Sequence, residues 1–557
     1  VPVSTGSNTT RNGETSGLAA GHPSGDRQSF LSMNHLQIDK LHSAAQSGHA
    51  ELIRLGIALL FIVGIIFYTA LRGAPPNIML IVAAVIGAYM AMNIGANDVA
   101  NNVGPAVGSG ALTMGGALII AGIFEAAGAL IAGGEVVSTI RSGIINPALI
   151  PDLDTFIWIM MAALLAGALW LNVATAVGAP VSTTHSIVGA VLGAGVAAGG
   201  FGIADWAQVG TIAASWLISP LLGGVFAALF LYLIKRTITY RQDMVHAATA
   251  MVPLLVGVMA WTFTTYLILK GLSKVWQVGF LPAMLYGLLV GVLVMLLLRP
   301  LLKARQARIS NTKQSVNTLF TVPLIFAAAL LSFAHGANDV ANAIGPLAAI
   351  NDALTSAGEV HGKAEIPLWV MMIGALGIAI GLALYGPKVI RTVGSEITEL
   401  DQMRAFCIAL AATITVIVAS QLGLPVSSTH IAVGGVFGVG FLREYLKANH
   451  ARIIDEIKTH HPEDDQAAID VFMARFNTAT IQQKGQLLAE LKEQARQQLD
   501  PAHFSKMERK HLKKVYRQEL VKRSQIMKIV AAWVITLPAS AVMAALVFFT
   551  LRGMLLA

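Results

Sequence analysis

Two Asn-Asp pairs recur within a duplicated motif, in stretches otherwise nearly free of charge. Asn97-Asp98 belongs to Gly95-Ala-Asn-Asp-Val-Ala-Asn-Asn-Val-Gly-Pro105, and Asn338-Asp339 to Gly336-Ala-Asn-Asp-Val-Ala-Asn-Ala-Ile-Gly-Pro346. A carboxylate at the centre of a membrane costs roughly 3 kcal/mol, so it is expected to have a partner or to line a cavity. Asp98 and Asp339 offer hard anionic oxygens. Asn97, Asn101, Asn338 and Asn342 add carbonyl oxygens and amide donors. The oxygens suit Na+ or a proton, with Asp98 and Asp339 as candidate Na+ ligands, and the amide nitrogens suit an oxyanion. Asn97 and Asn101 are one helical turn apart, as are Asn338 and Asn342, so each pair shares a helix face. The glycines and the Gly-Pro pairs that bracket both motifs predict helix breaks there.

A second motif is also duplicated. Pro180-Val-Ser-Thr-Thr-His185 recurs as Pro425-Val-Ser-Ser-Thr-His430. Proline suits the first turn of a helix. The hydroxyls of Ser182, Thr183 and Thr184, and of Ser427, Ser428 and Thr429, then join the free N–H groups of a helix start, where an anion is favoured. The result is a cradle for a tetrahedral oxyanion. None of the four motif copies contains Arg or Lys, so a dianion held there needs cations as charge partners. Further candidates are Glu125, in an apolar segment, and His185 and His430, each three residues past a cradle serine. Capping, interhelical glue and a buried neutral histidine are the structural alternatives. Glu135 and Arg141 are expected at the interface. A Ser-His pair at this spacing also admits an intramembrane hydrolase, but duplication of the whole set favours a shared binding site. A passive anion channel is another alternative. No Walker-type loop is present. Neither enzymatic activity nor a bound cofactor is expected, only a coupling Na+ or H+.

The elements that must position these groups are membrane helices. Of 557 residues, 55% are hydrophobic and 12% charged, against about 25% charged in soluble domains. Runs at 78–92, 111–132, 156–177, 208–234, 251–269 and 281–298 are nearly charge-free, and a helix needs about 20 such residues to cross the hydrocarbon. No alternating strands of a β-barrel are visible. The reading is an all-α polytopic membrane protein with about 11–13 transmembrane helices, some re-entrant or broken. About seven apolar stretches between Asp98 and Asp339, by the same length criterion, would invert the second copy. The one cysteine, Cys407, excludes an intrachain disulfide.

Six segments are expected: a polar N-terminal stretch at 1–52, with Met33 a plausible initiator; a first repeat at 53–235; a linking hairpin at 236–313; a second repeat at 314–442; a polar helical segment at 443–526; and a last helix at 527–557. Basic loops at 235–241 and 299–313, and the basic run from Lys506 to Arg523, all point to one cytoplasmic side, which puts the C-terminus outside. The net charge of +8 therefore reads as topology, not as a nucleic-acid surface.

Both motif pairs resemble the inorganic phosphate transporter (PiT) family, and the chain is identified as a bacterial member. The resemblance covers about residues 78–441 and the last helix, and includes Ile123-Phe-Glu125 and Ser138-Thr-Ile-Arg141. It implies an inverted repeat, a homodimer in the cytoplasmic membrane, and symport of phosphate with Na+ or H+; a sulfate permease is the nearest alternative. By motif, Asp98, Asn101, Asp339 and Asn342 would serve cation and phosphate, and Ser182, Thr183, Ser427 and Ser428 phosphate oxygens. One position departs: where eukaryotic relatives carry glutamate, this chain has Ala409.

Overall fold

The computed structural model describes residues 51–555 except 73–74, 180, 273–275, 356–365, 392–399 and most of 460–522. The stretch 1–50, Pro180, most of the polar segment at 443–526 and its basic run lie outside the described residues, as does the Glu135 side chain. The chain divides into two units, residues 1–60 and 61–557. Of the first, only the opening turns of α1 (Glu51–Leu71) are described.

Regular structure among the described residues is helical, with one isolated bridge between Ile145 and Ala204. Among the described residues, eleven helices are long and apolar enough to cross a membrane. The first half contains α2 (Ile78–Asn97), α3 (Val99–Gly108), α4 (Met114–Ala132), α5 (Gly134–Ser142), α6 (Leu153–Val177), α7 (Thr183–Gly199) and α8 (Trp206–Ile234). The hairpin α9 (Met244–Tyr266) and α10 (Phe280–Gln306) and the short α11 (Lys313–Thr318) follow. The second half contains α12 (Thr321–Asp339), α13 (Ala341–Thr355), α14 (Leu368–Arg391), α15 (Gln402–Gln421), α16 (Ser428–Thr459) and α17 (Arg523–Leu555).

The halves exchange partners. Helix α2 packs on α14 and α12 on α4; α7 packs on α17 and α8 on α16. Small residues allow this. A Cβ on Gly95 would land on the Ile378 carbonyl, and one on Gly336 on the Glu125 carbonyl. Lipid supplies no hydrophobic drive between helices, so such close backbone contact carries much of their association.

Two hairpins, α6–α7 and α15–α16, turn at tips that meet the helix breaks. The Asn146 N–H donates to the Ile203 carbonyl (2.8 Å) and the Asp205 N–H to the Ile144 carbonyl (3.0 Å). These bonds hold the start of α6 and the end of α7 at one end of the molecule. The other end of α6 meets the α2–α3 break. Gly178 turns this tip at φ 74° and Gly423 turns the α15–α16 tip at φ 67°, a left-handed backbone that favours glycine. The second hairpin opens to the opposite end. The Met403 N–H donates to Asn317 Oδ1 (3.0 Å), and the Met244 N–H to Asn311 Oδ1 (2.9 Å). The start of α15 therefore sits with the basic loops, where α8 also ends.

Direction follows from these ties. Helices α4 and α5 lead from the end of α3 to Ile144, away from the basic loops, so α2 and α3 run toward them. Helices α12 and α13 start beside those loops and run away. The second copy is inverted, as the sequence predicted. The apolar count differs: only five helices between the two Asp motifs meet the length for a span, and α6 with the shorter α7 forms a turn-back rather than a crossing pair.

Arg141 is enclosed by protein rather than solvated. It is 2% exposed and pairs with Asp352 on α13, tying α5 of one half to the other half. Removing one partner of a buried pair costs about 3–5 kcal/mol. Arg141→Ala should therefore lower the thermal midpoint in detergent markedly, and the charge swap R141D/D352R should recover most of the loss. A swap no better than the single variants would assign the effect to packing instead.

Candidate functional site

The two motifs fold as breaks in long helices. Asp98 sits between α2 and α3, and α12 ends at Asp339. The bracketing prolines, expected at the breaks, lie inside α3 and α13 instead. Pro105 has no N–H to give the Asn101 carbonyl one turn back, and Pro346 has none for Asn342. Each proline thus leaves a site asparagine with a backbone oxygen that its own helix does not use.

The outer asparagines pin the hairpin tips. Asn97 Nδ2 donates to Thr175 Oγ1 and to the Ala179 carbonyl (both 3.0 Å), and the Val181 N–H donates to Asn97 Oδ1 (3.1 Å). Asn338 Nδ2 donates to Ser420 Oγ (3.0 Å) and the Leu424 carbonyl (3.2 Å). These are matching bonds in the two halves. The inner asparagines cross between halves. Asn101 Nδ2 donates to Thr429 Oγ1 (2.8 Å), and Asn342 Nδ2 to Thr183 Oγ1 (3.0 Å) and Thr184 Oγ1 (3.2 Å).

The carboxylates meet among the hydroxyls. Thr429 Oγ1 donates to Asp98 Oδ1 and Thr183 Oγ1 to Asp98 Oδ2, each at 2.7 Å. The same Thr183 oxygen stands 3.3 Å from Asp339 Oδ2, and Ser428 Oγ donates to that atom at 3.4 Å. Asp98 and Asp339 are fully buried, as are Asn97 and Asn101. Asp98, His335 and Asp339 bring ligand atoms within 4.8 Å of one another. Asn101 Oδ1, Asn338 Oδ1, Asn342 Oδ1 and Asp339 Oδ1 are buried without a hydrogen-bond donor. Buried oxygens normally find donors. A group of orphan acceptors beside two carboxylates fits a hard cation.

The predicted hydroxyls divide by role. Thr183, Ser428 and Thr429 face the carboxylates, while Thr184 donates to the Val426 carbonyl (3.0 Å). Ser182 is the N-cap of α7 and accepts from the His185 N–H (3.1 Å); Ser427 does the same for His430 (3.2 Å). Helices α7 and α16 start at Thr183 and Ser428, so Pro425 precedes the first turn rather than entering it. His185 Nδ1 lies 2.7 Å from Ser182 Oγ, a contact made within the cap.

Glu125 joins the site through residues that motif reading passed over. Its Oε1 accepts from Asn102 Nδ2 (2.8 Å), and its Oε2 pairs with His335 Nδ1 (2.6 Å). His335 Nε2 then stands 3.1 Å from Asp339 Oδ2. The available signal was a titratable residue in an apolar run, one turn before Asp339. It lay outside the repeat, because its counterpart in the first copy is Ile94.

Two inverted helical halves enclosing one buried set of carboxylates, amides and hydroxyls mark a multi-pass membrane protein of the transporter class, not an enzyme. The profile described as "Phosphate transporter family" matches residues 94–544. The chain belongs to that family. It is 52% identical to a protein of Helicobacter pylori strain J99 named "Putative phosphate permease", over 92% of this chain and 98% of that protein. A Pyrococcus horikoshii protein with the same designation is 39% identical over 69% of this chain and 93% of its own length. Among solved structures, one titled "The sodium-dependent phosphate transporter" matches with a TM-score of 0.69 and 29% identity, over 86% of this chain and 99% of that one.

Proposed function

We propose that this chain is a secondary active transporter that moves inorganic phosphate by cation symport with alternating access. The observation that carries the reading is the meeting of two buried carboxylates, one from each half, around the Thr183 hydroxyl. A phosphate dianion beside them meets about 3 kcal/mol of repulsion per pair of unit charges at ~5 Å and an effective dielectric of ~20. Cations must offset that repulsion. The orphan oxygens of Asn101, Asn338, Asn342 and Asp339 are the atoms that would hold them, with Asp98 and Asp339 as charged ligands.

The same geometry supports an order of binding. The Thr183, Thr429 and Ser428 hydroxyls now give their protons to carboxylates. A cation that takes over the carboxylate oxygens releases those protons to turn toward phosphate, along with the amides of Asn101 and Asn342. Cation binding thus prepares the cradle. The similarity to a sodium-dependent structure favours Na+ over H+.

The basic loops belong on the cytoplasmic side of the cytoplasmic membrane, with the polar segment 443–526, and the C-terminus is outside. The bilayer and a second copy of the chain are the expected partners. Six segments with the boundaries expected from sequence, from 1–52 to 527–557, describe the chain's organisation.

The test is uptake of labelled phosphate into proteoliposomes under separately imposed Na+ and H+ gradients. Concentrative uptake under the Na+ gradient is expected, with the phosphate KM falling as Na+ rises. Equilibration without any gradient would indicate a channel. Sulfate uptake that phosphate fails to inhibit would overturn the substrate.

A further inference from the structure

Four aromatic rings run in a row across the junction of the halves. Trp216 on α8 lies on His185 of α7 with centroids 3.8 Å apart, His185 lies 4.5 Å from His430 of α16, and His430 lies 3.8 Å from Trp533 of α17. The outer pairs are tilted by 32° and 31°, the near-equality an inverted repeat produces. The row threads the four helices that exchange partners, α7 with α17 and α8 with α16. Both histidines are buried, and His430 Nε2 has no hydrogen-bond partner.

A ring buried without use of that nitrogen is held by its faces. Its position nevertheless bears on the site. Ser182 and Ser427 cap their helices through the backbone N–H groups of His185 and His430, so each ring and the start of its hydroxyl cradle move as one turn of helix. Trp216 Nε1 also donates to the Pro425 carbonyl (3.0 Å), which ties the first half's end of the row to the chain entering the second cradle. Contact between His185 and His430 joins the two helix starts directly.

We propose that this row is the spacer that sets the separation of the two cradles, with His430 and Trp533 as positioning residues for phosphate. The inference rests on reading the cradles as the phosphate site. Stacking needs a flat ring and no nitrogen, so substitutions separate the two. His430→Phe keeps the ring; His430→Leu and Trp533→Leu remove it.

The test measures cation-driven uptake by the full-length reconstituted protein against phosphate concentration. Wild type and H430F should share one KM. W533L, which loses one ring contact, should raise it up to about tenfold, and H430L, which loses two, at least as much, with Vmax and cation stoichiometry held. A capping or folding defect would instead lower the number of active molecules and so Vmax. H430F behaving like H430L overturns the spacer, because the nitrogens then matter. So does an unchanged KM in both leucine variants. Should H430L fail to assemble, W533L, at the half-buried end of the row, decides alone. Wild type without saturable phosphate uptake overturns the phosphate reading itself; an unmoved KM in both leucine variants, each still transporting, overturns only the spacer.

Discussion

Asp98→Asn and Asp339→Asn should each cut cation-driven phosphate uptake at least about a hundredfold while leaving the protein folded. Asparagine keeps the shape and one acceptor oxygen: at Asp339 that oxygen can stay toward Thr183 and Ser428, whereas at Asp98 the new amide nitrogen meets one of the two threonine hydroxyls as a second donor. What disappears is a full charge. At about 4 Å and an effective dielectric of 20, a carboxylate contributes roughly 4 kcal/mol to holding a monovalent cation, on the order of a thousandfold in affinity. The two variants should differ in detail. Both oxygens of Asp98 accept from threonine hydroxyls at 2.7 Å, whereas Asp339 Oδ1 has no donor. Loss at Asp339 should therefore appear mainly as a raised cation requirement, and loss at Asp98 also as a raised phosphate KM. Uptake within tenfold of wild type, at matched amounts of protein in the membrane, would remove that carboxylate from coupling.

The second large effect is expected from one methyl group. Gly336→Ala places a Cβ on the Glu125 carbonyl, and Gly95→Ala places one on the Ile378 carbonyl. Neither obstacle is a side-chain tip that can swing away; each is helix backbone. Relief requires moving α4 from α12, or α14 from α2, and overpacking of this kind costs about 1–3 kcal/mol or more. The displaced helices also carry the Asn-Asp breaks. Both variants should give little monodisperse protein by size-exclusion chromatography, and any that survives should bind phosphate poorly. Gly115→Ala, with nothing within 4 Å of its Cβ, is the control and should behave as wild type. A stable, active Gly336→Ala protein would refute the close α4–α12 contact.

Much of this was legible in the sequence because repetition is readable without coordinates. The duplicated motifs named Asp98, Asp339, the inner asparagines and the cradle hydroxyls; the structure gathers the carboxylates and asparagines with Thr183, Ser428 and Thr429, and leaves Ser182 and Ser427 as caps. Pattern reading failed where the halves differ. His335 and Asn102 have Ile94 and Ala343 as counterparts, so no second copy drew attention to them. Glu125 was found by charge alone, and its partner only by geometry, since their separation along the chain hides the contact. The pairing of Arg141 was not legible either, because nothing local announces Asp352. Proline was misplaced for a related reason. Its missing N–H was expected to break a helix, yet in α3 and α13 it only strips a carbonyl of its partner one turn before.

The cluster of Asn102, Glu125 and His335 has apolar residues at all three mirrored positions: Ala343, Ile378 and Ile94. In a carrier of exchanging halves, the opposite-facing state is obtained by trading the conformations of the two halves. Here the trade is uneven, since the polar chain lies at the α4–α12 contact and the mirrored α14–α2 contact has none. The two facings are therefore not degenerate. A hydrogen bond to a charged group is worth about 1.5–3 kcal/mol, so one such bond gained or lost in the exchange shifts their ratio by roughly 10- to 100-fold. On the proposed alternating-access reading, an unloaded molecule would then favour one side of its cycle, with the Glu125–His335 contact as the counterweight.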